Sequence, residues 1–144
     1  MDKLKLKEQA EKLLEIHREI SGFYNEYAKS MGATLAGLEV LLIIWNEKVC
    51  TQKTIVQKTF LPKQTVSAII QKLKTKNIVE IKLETASDKR NKEIKFTELG
   101  KKLADKFIPI MKEAEYRALD ALGEAKRESL IEIITEYKNN LSIE

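Results

Sequence analysis

One short segment limits the folds open to this chain more than any other. Between residues 79 and 96 two runs, VEIKL and EIKF, alternate apolar and polar side chains. That is the period-two pattern of half-buried strands. They flank SDKRNKEI, residues 87–94, in which Lys89, Arg90 and Lys92 follow a lone Asp88. Everything on either side reads as helix. A mainly α chain with a single hairpin, and a basic loop at its tip, leaves few architectures open and raises the question of what the loop reaches.

The helices follow from period and caps. Residues 3 to about 29 carry Leu6, Ala10, Leu13, Leu14, His17, Ile20, Phe23, Tyr24 and Tyr27 in one wide stripe, close to a 3.6-residue repeat. Gly32 breaks the pattern. Thr34 is a suitable N-cap for LAGLEVLLIIWNE, which is apolar on most sides and so is the expected buried helix. KVC reads as a short connection. Thr51 caps QKTIVQKTF, whose apolar points are Ile55, Val56 and Phe60. Pro62 suits the first turn of PKQTVSAIIQKLKTK, because the N–H that proline lacks is unpaired there anyway. Asn77 tolerates the left-handed conformation that closes many helices. After the hairpin, Thr97 caps a helix from Glu98, with Leu99, Leu103, Phe107, Ile110, Met111, Ala114 and Ala118 at spacings of three and four and Pro109 as a candidate kink. Gly123 separates it from a last helix, EAKRESLIEIITEYKNNL.

Charge is distributed unevenly along this frame. The whole chain carries +4, whereas residues 63–95 alone hold nine basic and four acidic side chains, a net +5. A localised basic segment is the footprint of a polyanion-binding surface, with a merely solubilising surface as the plainer alternative. Other classes are disfavoured. No run of about 18 apolar residues is present to span a membrane. The start, MDKLKLKEQAEKL, lacks the apolar stretch of a signal peptide. Cys50 is the lone cysteine, so no internal disulfide forms and a cytoplasmic location is expected. With one histidine, no Gly-rich phosphate loop and no nucleophile elbow, neither catalysis nor a metal or other cofactor is expected. Cys50 has two readings. A following helix N-terminus could lower its pKa and make it a sensor, or it is an inert core thiol.

The fourth helix is the most informative. Val66, Ile69, Ile70 and Leu73 gather on one face, and Gln64, Ala68, Gln71 and Thr75 on the other, with Ser67 and Lys72 flanking. Glutamine suits the N6/N7 edge of adenine, serine is more permissive, and alanine allows close approach to a base edge. Alone, this is also what an ordinary solvated helix face offers. The order of elements sharpens it: a buried helix, a short capped helix, a turn, a helix with a small polar outer face, then a hairpin. That is a helix-turn-helix followed by a wing, in which one helix enters the major groove and a basic tip reaches phosphate or the minor groove. The candidate DNA contacts are Lys63, Gln64, Thr65, Ser67, Ala68, Gln71 and Lys72 on the helix, and Asp88, Lys89, Arg90, Asn91 and Lys92 on the wing. Arg90 is the expected minor-groove residue, with Asp88 bracing it. The rival reading is a winged-helix module that binds protein instead of DNA.

At these residues the chain resembles the MarR family of bacterial transcriptional regulators. ATLAGLEVLLIIW is similar to the family's second helix, with Ala33-Thr34 in place of a leading Leu-Thr. LPKQTVSAIIQKLKTKNIVE is similar to its recognition helix and the start of its wing. SDKRNKEIKFTELG carries the family's Asp-x-Arg as Asp88-Lys89-Arg90, and its Leu-Thr-x-x-Gly as Phe96-Thr97-Glu98-Leu99-Gly100. The departures are Asn77 for a usual Gly, Ile81 where Arg is frequent, and Ala68 where many members carry Arg. They shift base reading toward Gln64 and Gln71. The resemblance implies a single domain over residues 1–144, mainly α. A winged helix-turn-helix over 34–97 would be flanked by dimerisation helices at 1–30 and 98–144. It also implies a homodimer on a pseudo-palindromic double-stranded site, acting as a repressor. The wide stripe of the first helix and the run LIEIITEY agree, since they exceed what one small domain needs. A small, often aromatic effector is implied too, with His17, Tyr24, Tyr27 and Trp45 as candidate lining, although such residues are also ordinary core. The thiol sensors of the family place their cysteine on the first helix, which here has none.

Overall fold

Threonine hydroxyls start three of the helices. The Oγ1 atoms of Thr34, Thr51 and Thr97 accept hydrogen bonds from the N–H groups of Gly37, Thr54 and Gly100, at 3.1, 3.3 and 3.0 Å. Each such cap contributes about 1 kcal/mol by satisfying a donor that has no partner within the helix. The computed structural model describes residues 1–83 and 92–142. Along the chain it has α1 (Lys3–Ser30), α2 (Leu35–Asn46), α3 (Gln52–Thr59), α4 (Lys63–Thr75), β1 (Val79–Leu83), β2 (Lys92–Phe96), α5 (Glu98–Leu122) and α6 (Glu124–Asn140). Two compact units are present, Met1–Ile108 and Pro109–Glu144. Among the described residues, no single helix is long and apolar enough to cross a membrane.

The first unit is built around α2. Leu38, Val40, Leu41 and Ile44 are buried, together with Ile55 of α3, Val66, Ile70 and Leu73 of α4, Ile94 of β2, and Ala104 and Ile108 of α5. Full burial of such aliphatic side chains stabilises the fold by about 1.5–3 kcal/mol each. Gly37 faces α4: a β-carbon there would stand 4.0 Å from Ile69 Cγ2. β1 and β2 pair antiparallel, with Val79 opposite Phe96 and Leu83 opposite Lys92. The connection read as KVC does more than link two helices. Ile94 N–H donates to the Cys50 carbonyl at 2.7 Å, and Thr51 bridges Glu93. The wing is thereby tied to the start of α3.

Thr97 and Gly100 form a second tie. Thr97 N–H donates to Ile78 O at 3.0 Å, and its hydroxyl donates to Asn77 O at 2.6 Å while accepting from Gly100. Asn77 takes the expected left-handed conformation, φ 59°. A β-carbon on Gly100 would lie 1.9 Å from Ile78 O. The spacing Thr-x-x-Gly thus has a steric reason: α5 starts in contact with the backbone where α4 turns into β1.

Three expectations are corrected. Phe60 is not a core point of α3. That helix ends at Thr59, and Phe60 adopts a left-handed conformation with its side chain 92% exposed. Pro62 is the N-cap of α4, outside the first turn, and supplies no side-chain cap. In the first unit, the buried face of α5 is Gly100, Ala104 and Ile108, while Leu99 is exposed and Leu103 and Phe107 are half-buried.

Candidate nucleic-acid interface

The amphipathic pattern of α4 sets its orientation. With Val66, Ile70 and Leu73 buried, Gln64, Thr65, Ala68, Gln71, Lys72 and Thr75 are exposed and Ser67 is half-buried. The Thr75 hydroxyl is committed to its own helix, donating to Gln71 O at 2.9 Å. The side-chain amides of Gln64 and Gln71 have no hydrogen-bond partner among the described residues, and both project on either side of Ala68. The first turn of α4 holds no acidic residue and begins with Lys63. This surface is polar, without a carboxylate and shallow at its centre.

The wing adds lysines. Lys82, Lys92 and Lys95 are exposed on the two strands. Glu80 stands opposite Lys95 and Lys82 opposite Glu93. The one buried acidic residue among those described, Glu93, lies 3.5 Å from Lys95 Nζ. Of the expected wing contacts, Asp88, Lys89, Arg90 and Asn91 lie outside the described residues. Lys92 is placed, and it is brought to the same cleft as Lys63. That cleft, about 490 Å³, is lined by Thr51, Gln52, Lys53, Val56, Gln57, Lys63 and Lys92. Reading the sequence for a basic stretch missed the α3 side of the cleft. The dense run begins at Lys63, and Lys53 stands apart from it. Its signal was a lysine and two glutamines on the polar side of a short capped helix.

The aromatic residues proposed as an effector pocket are only partly assembled. Phe23 packs edge-on against Tyr24 and Tyr27, with ring centroids 5.0 and 5.2 Å apart. Tyr24, Tyr27 and Trp45 are half-buried and His17 is exposed. Among the described residues, no ring contact joins Trp45 to this cluster.

Cys50 is buried, and its thiol is raised from 9.0 to about 11. Desolvation is the main cause, followed by the carboxylates of Glu47 and Glu93, against a smaller lowering by Lys58. Of the two readings of Cys50, burial and the two carboxylates favour the inert core thiol over a thiol activated at the start of α3. At pH 8 the thiolate fraction is roughly a hundredfold below that of a free thiol with an unshifted pKa. Iodoacetamide should therefore leave folded protein unmodified over the time in which urea-unfolded protein reacts fully. Fast labelling of the folded form would contradict this environment.

Comparison with known proteins places this geometry among others. Residues 38–91 match the family model of the MarR family. The HTH-type transcriptional regulator SarZ of Staphylococcus epidermidis is 34% identical over 84 residues, which is 58% of this chain and 56% of SarZ. The match thus spans little more than half the length of that relative. Among solved structures, the S. aureus MepR–DNA complex aligns with a TM-score of 0.75 at 22% identity, over 92% of this chain and 97% of MepR. Bordetella bronchiseptica BpsR, described with regulation of its DNA binding by 6-hydroxynicotinic acid, aligns at 0.70 and 16% identity, over 92% and 94%. At these identities the structural likeness establishes a shared winged-helix fold.

Proposed function

We propose that this chain, whose residues 38–91 match the model of the MarR family, is a sequence-specific, double-stranded-DNA-binding regulator of transcription. One observation carries the reading. The outer face of α4 presents two unpartnered glutamine amides around Ala68, with lysines at its flanks and no carboxylate. A protein-docking helix would present apolar side chains there. A glutamine amide can bind adenine bidentately, and Ala68 leaves room for the helix to sit deep in the major groove.

In this reading the protein acts as a homodimer and represses. Leu6, Leu13, Leu14, Ile20 and Phe23 of α1, and Ile131, Ile133, Ile134 and Tyr137 of α6, are exposed on the single chain. A second copy covers them and sets two α4 helices on the half-sites of a pseudo-palindrome. SarZ is named as a transcriptional regulator, MepR is seen on DNA and BpsR responds to a small aromatic acid. By analogy, the cluster of Phe23, Tyr24 and Tyr27 is the place to look for a small effector that releases this chain from its operator.

The test compares a duplex from the protein's own promoter region with a shuffled duplex of equal length. Gln64→Ala and Gln71→Ala should each lose about 1–3 kcal/mol of discrimination at particular base pairs. Equal weakening on both duplexes would remove these residues from base reading.

A further inference from the structure

Two helix ends closed in the same way meet at the C-terminal end of α4. α1 closes on a left-handed Gly32, φ 71°, with Ala33 N–H donating back to Ala28 O at 2.9 Å. α4 closes on a left-handed Asn77, φ 59°, with Ile78 N–H donating back to Leu73 O at 2.9 Å. Each turn satisfies late carbonyls of its helix and turns the chain away from the axis. The two turns touch: a β-carbon on Gly32 would stand 3.4 Å from Ile78 Cδ1. A polar bond crosses the contact as well. Lys76 Nζ donates to Gly32 O at 2.7 Å, joining residues 44 apart in the chain. The ammonium thereby sits at the carbonyl end of α1, a 28-residue helix, where a cation is favoured. α5 holds the same α4–β1 turn through Thr97, which bonds to Asn77 O and Ile78 O. Lys76 is one of the nine basic side chains of residues 63–95, yet its ammonium already has a partner within the protein.

We propose that Lys76 is a positioning residue for base reading. Its bond to Gly32 O ties the end of α4 to the α1–α2 turn and sets the angle at which Gln64 and Gln71 meet the bases, while Lys76 itself does not touch DNA. The inference rests on the DNA-binding reading and deepens it. Val66, Ile70 and Leu73 bury one face of α4, but apolar packing is not directional and leaves the helix free to rock. At 1.5 Å per residue α4 is about 20 Å long, so a rotation of about 10° about its middle displaces either end by roughly 1.5 Å. A displacement of that size breaks the paired hydrogen bonds of a glutamine amide on adenine. A bond at the end of the helix, where the lever arm is longest, resists that rotation most effectively.

The measurement is fluorescence anisotropy of the full chain on the promoter duplex and on the shuffled duplex, over a series of salt concentrations, for wild type, Lys76→Met and Lys76→Arg. Methionine keeps an unbranched stem and removes the ammonium; because the bond is exposed, the melting temperature should hardly change. Lys76→Met should lower the ratio of promoter to shuffled affinity roughly tenfold, the worth of one base contact. The slope of log K against log salt should stay the same, since no phosphate contact is lost. Lys76→Arg should restore the ratio, because a guanidinium can donate to the same carbonyl. A slope reduced by about one in Lys76→Met would make Lys76 a phosphate contact and overturn the proposal. So would a wild-type ratio in Lys76→Met, or a loss that Lys76→Arg does not restore. Failure of the wild type to bind either duplex would instead overturn the DNA-binding reading itself. Amide hydrogen exchange at Asn77 and Ile78 in DNA-free protein reads the tether independently of that reading. Exchange should be faster in Lys76→Met than in wild type or Lys76→Arg, and equal rates in all three would overturn the tether.

Discussion

Gly100→Ala should destabilise the protein by about 3 kcal/mol, a large share of what a chain of this size has to lose. The added methyl would lie 1.9 Å from a backbone oxygen, that of Ile78, which cannot swing aside as the end of a flexible side chain could. Relief requires α5 to lift away from the turn between α4 and β1. Lifting also stretches the hydrogen bonds from Thr97 to Asn77 O and Ile78 O. Thr97→Ala removes the cap and the bond to Asn77 without the clash, and should cost about 1 kcal/mol. Urea unfolding of the two variants checks the order. If Gly100→Ala proved no worse than Thr97→Ala, α5 would not be held against Ile78 as described.

The second large effect concerns assembly. Ile131 and Ile134 are 63% and 55% exposed on the single chain, so aspartates there disturb little of the chain's own core. On the dimeric reading they place charges in the covered face. The double variant Ile131→Asp/Ile134→Asp should sediment as a monomer at micromolar concentration. It should also lose about 10²–10⁴-fold in operator affinity, because the second half-site then no longer binds as part of one molecule. A variant that remains dimeric, or that binds as a monomer with undiminished affinity, would place the partner surface elsewhere.

Much of the fold was legible in the sequence because its signals are local. Thr34, Thr51 and Thr97 are caps that a reader can name without coordinates, and Asn77 closes α4 in the conformation its side chain tolerates. The apolar face of α4 fixed its polar face, so the exposure of Gln64, Ala68 and Gln71 followed. What escaped depends on contacts distant in sequence. The pairing of Cys50 and Thr51 with β2 leaves no mark in three residues, KVC, too short to alternate. Phe60 looked like the next apolar point of α3, but the helix ends one residue earlier and the left-handed turn carries the ring outward. Along α5 the buried residues are Gly100, Ala104, Ile108 and Met111. Two of these are small enough to give little hydrophobic signal, while Leu99 and Ile110, which give a strong one, are exposed. On the dimeric reading those larger side chains serve a partner, so hydrophobicity marked an interface and not the chain's own core. The α3 side of the cleft escaped for a similar reason, since Lys53 joins Lys63 and Lys92 only when the wing is tied back to α3.

The most direct test of the central claim, that α4 reads bases, is the ratio of affinities for promoter and shuffled duplex, measured side by side for wild type and Gln71→Ala at one salt concentration. The account predicts a wild-type ratio of about 10³ or more. It predicts that Gln71→Ala lowers this ratio roughly tenfold while binding to the shuffled duplex stays the same. A wild-type ratio near one, or a loss in Gln71→Ala that is equal on both duplexes, would contradict it.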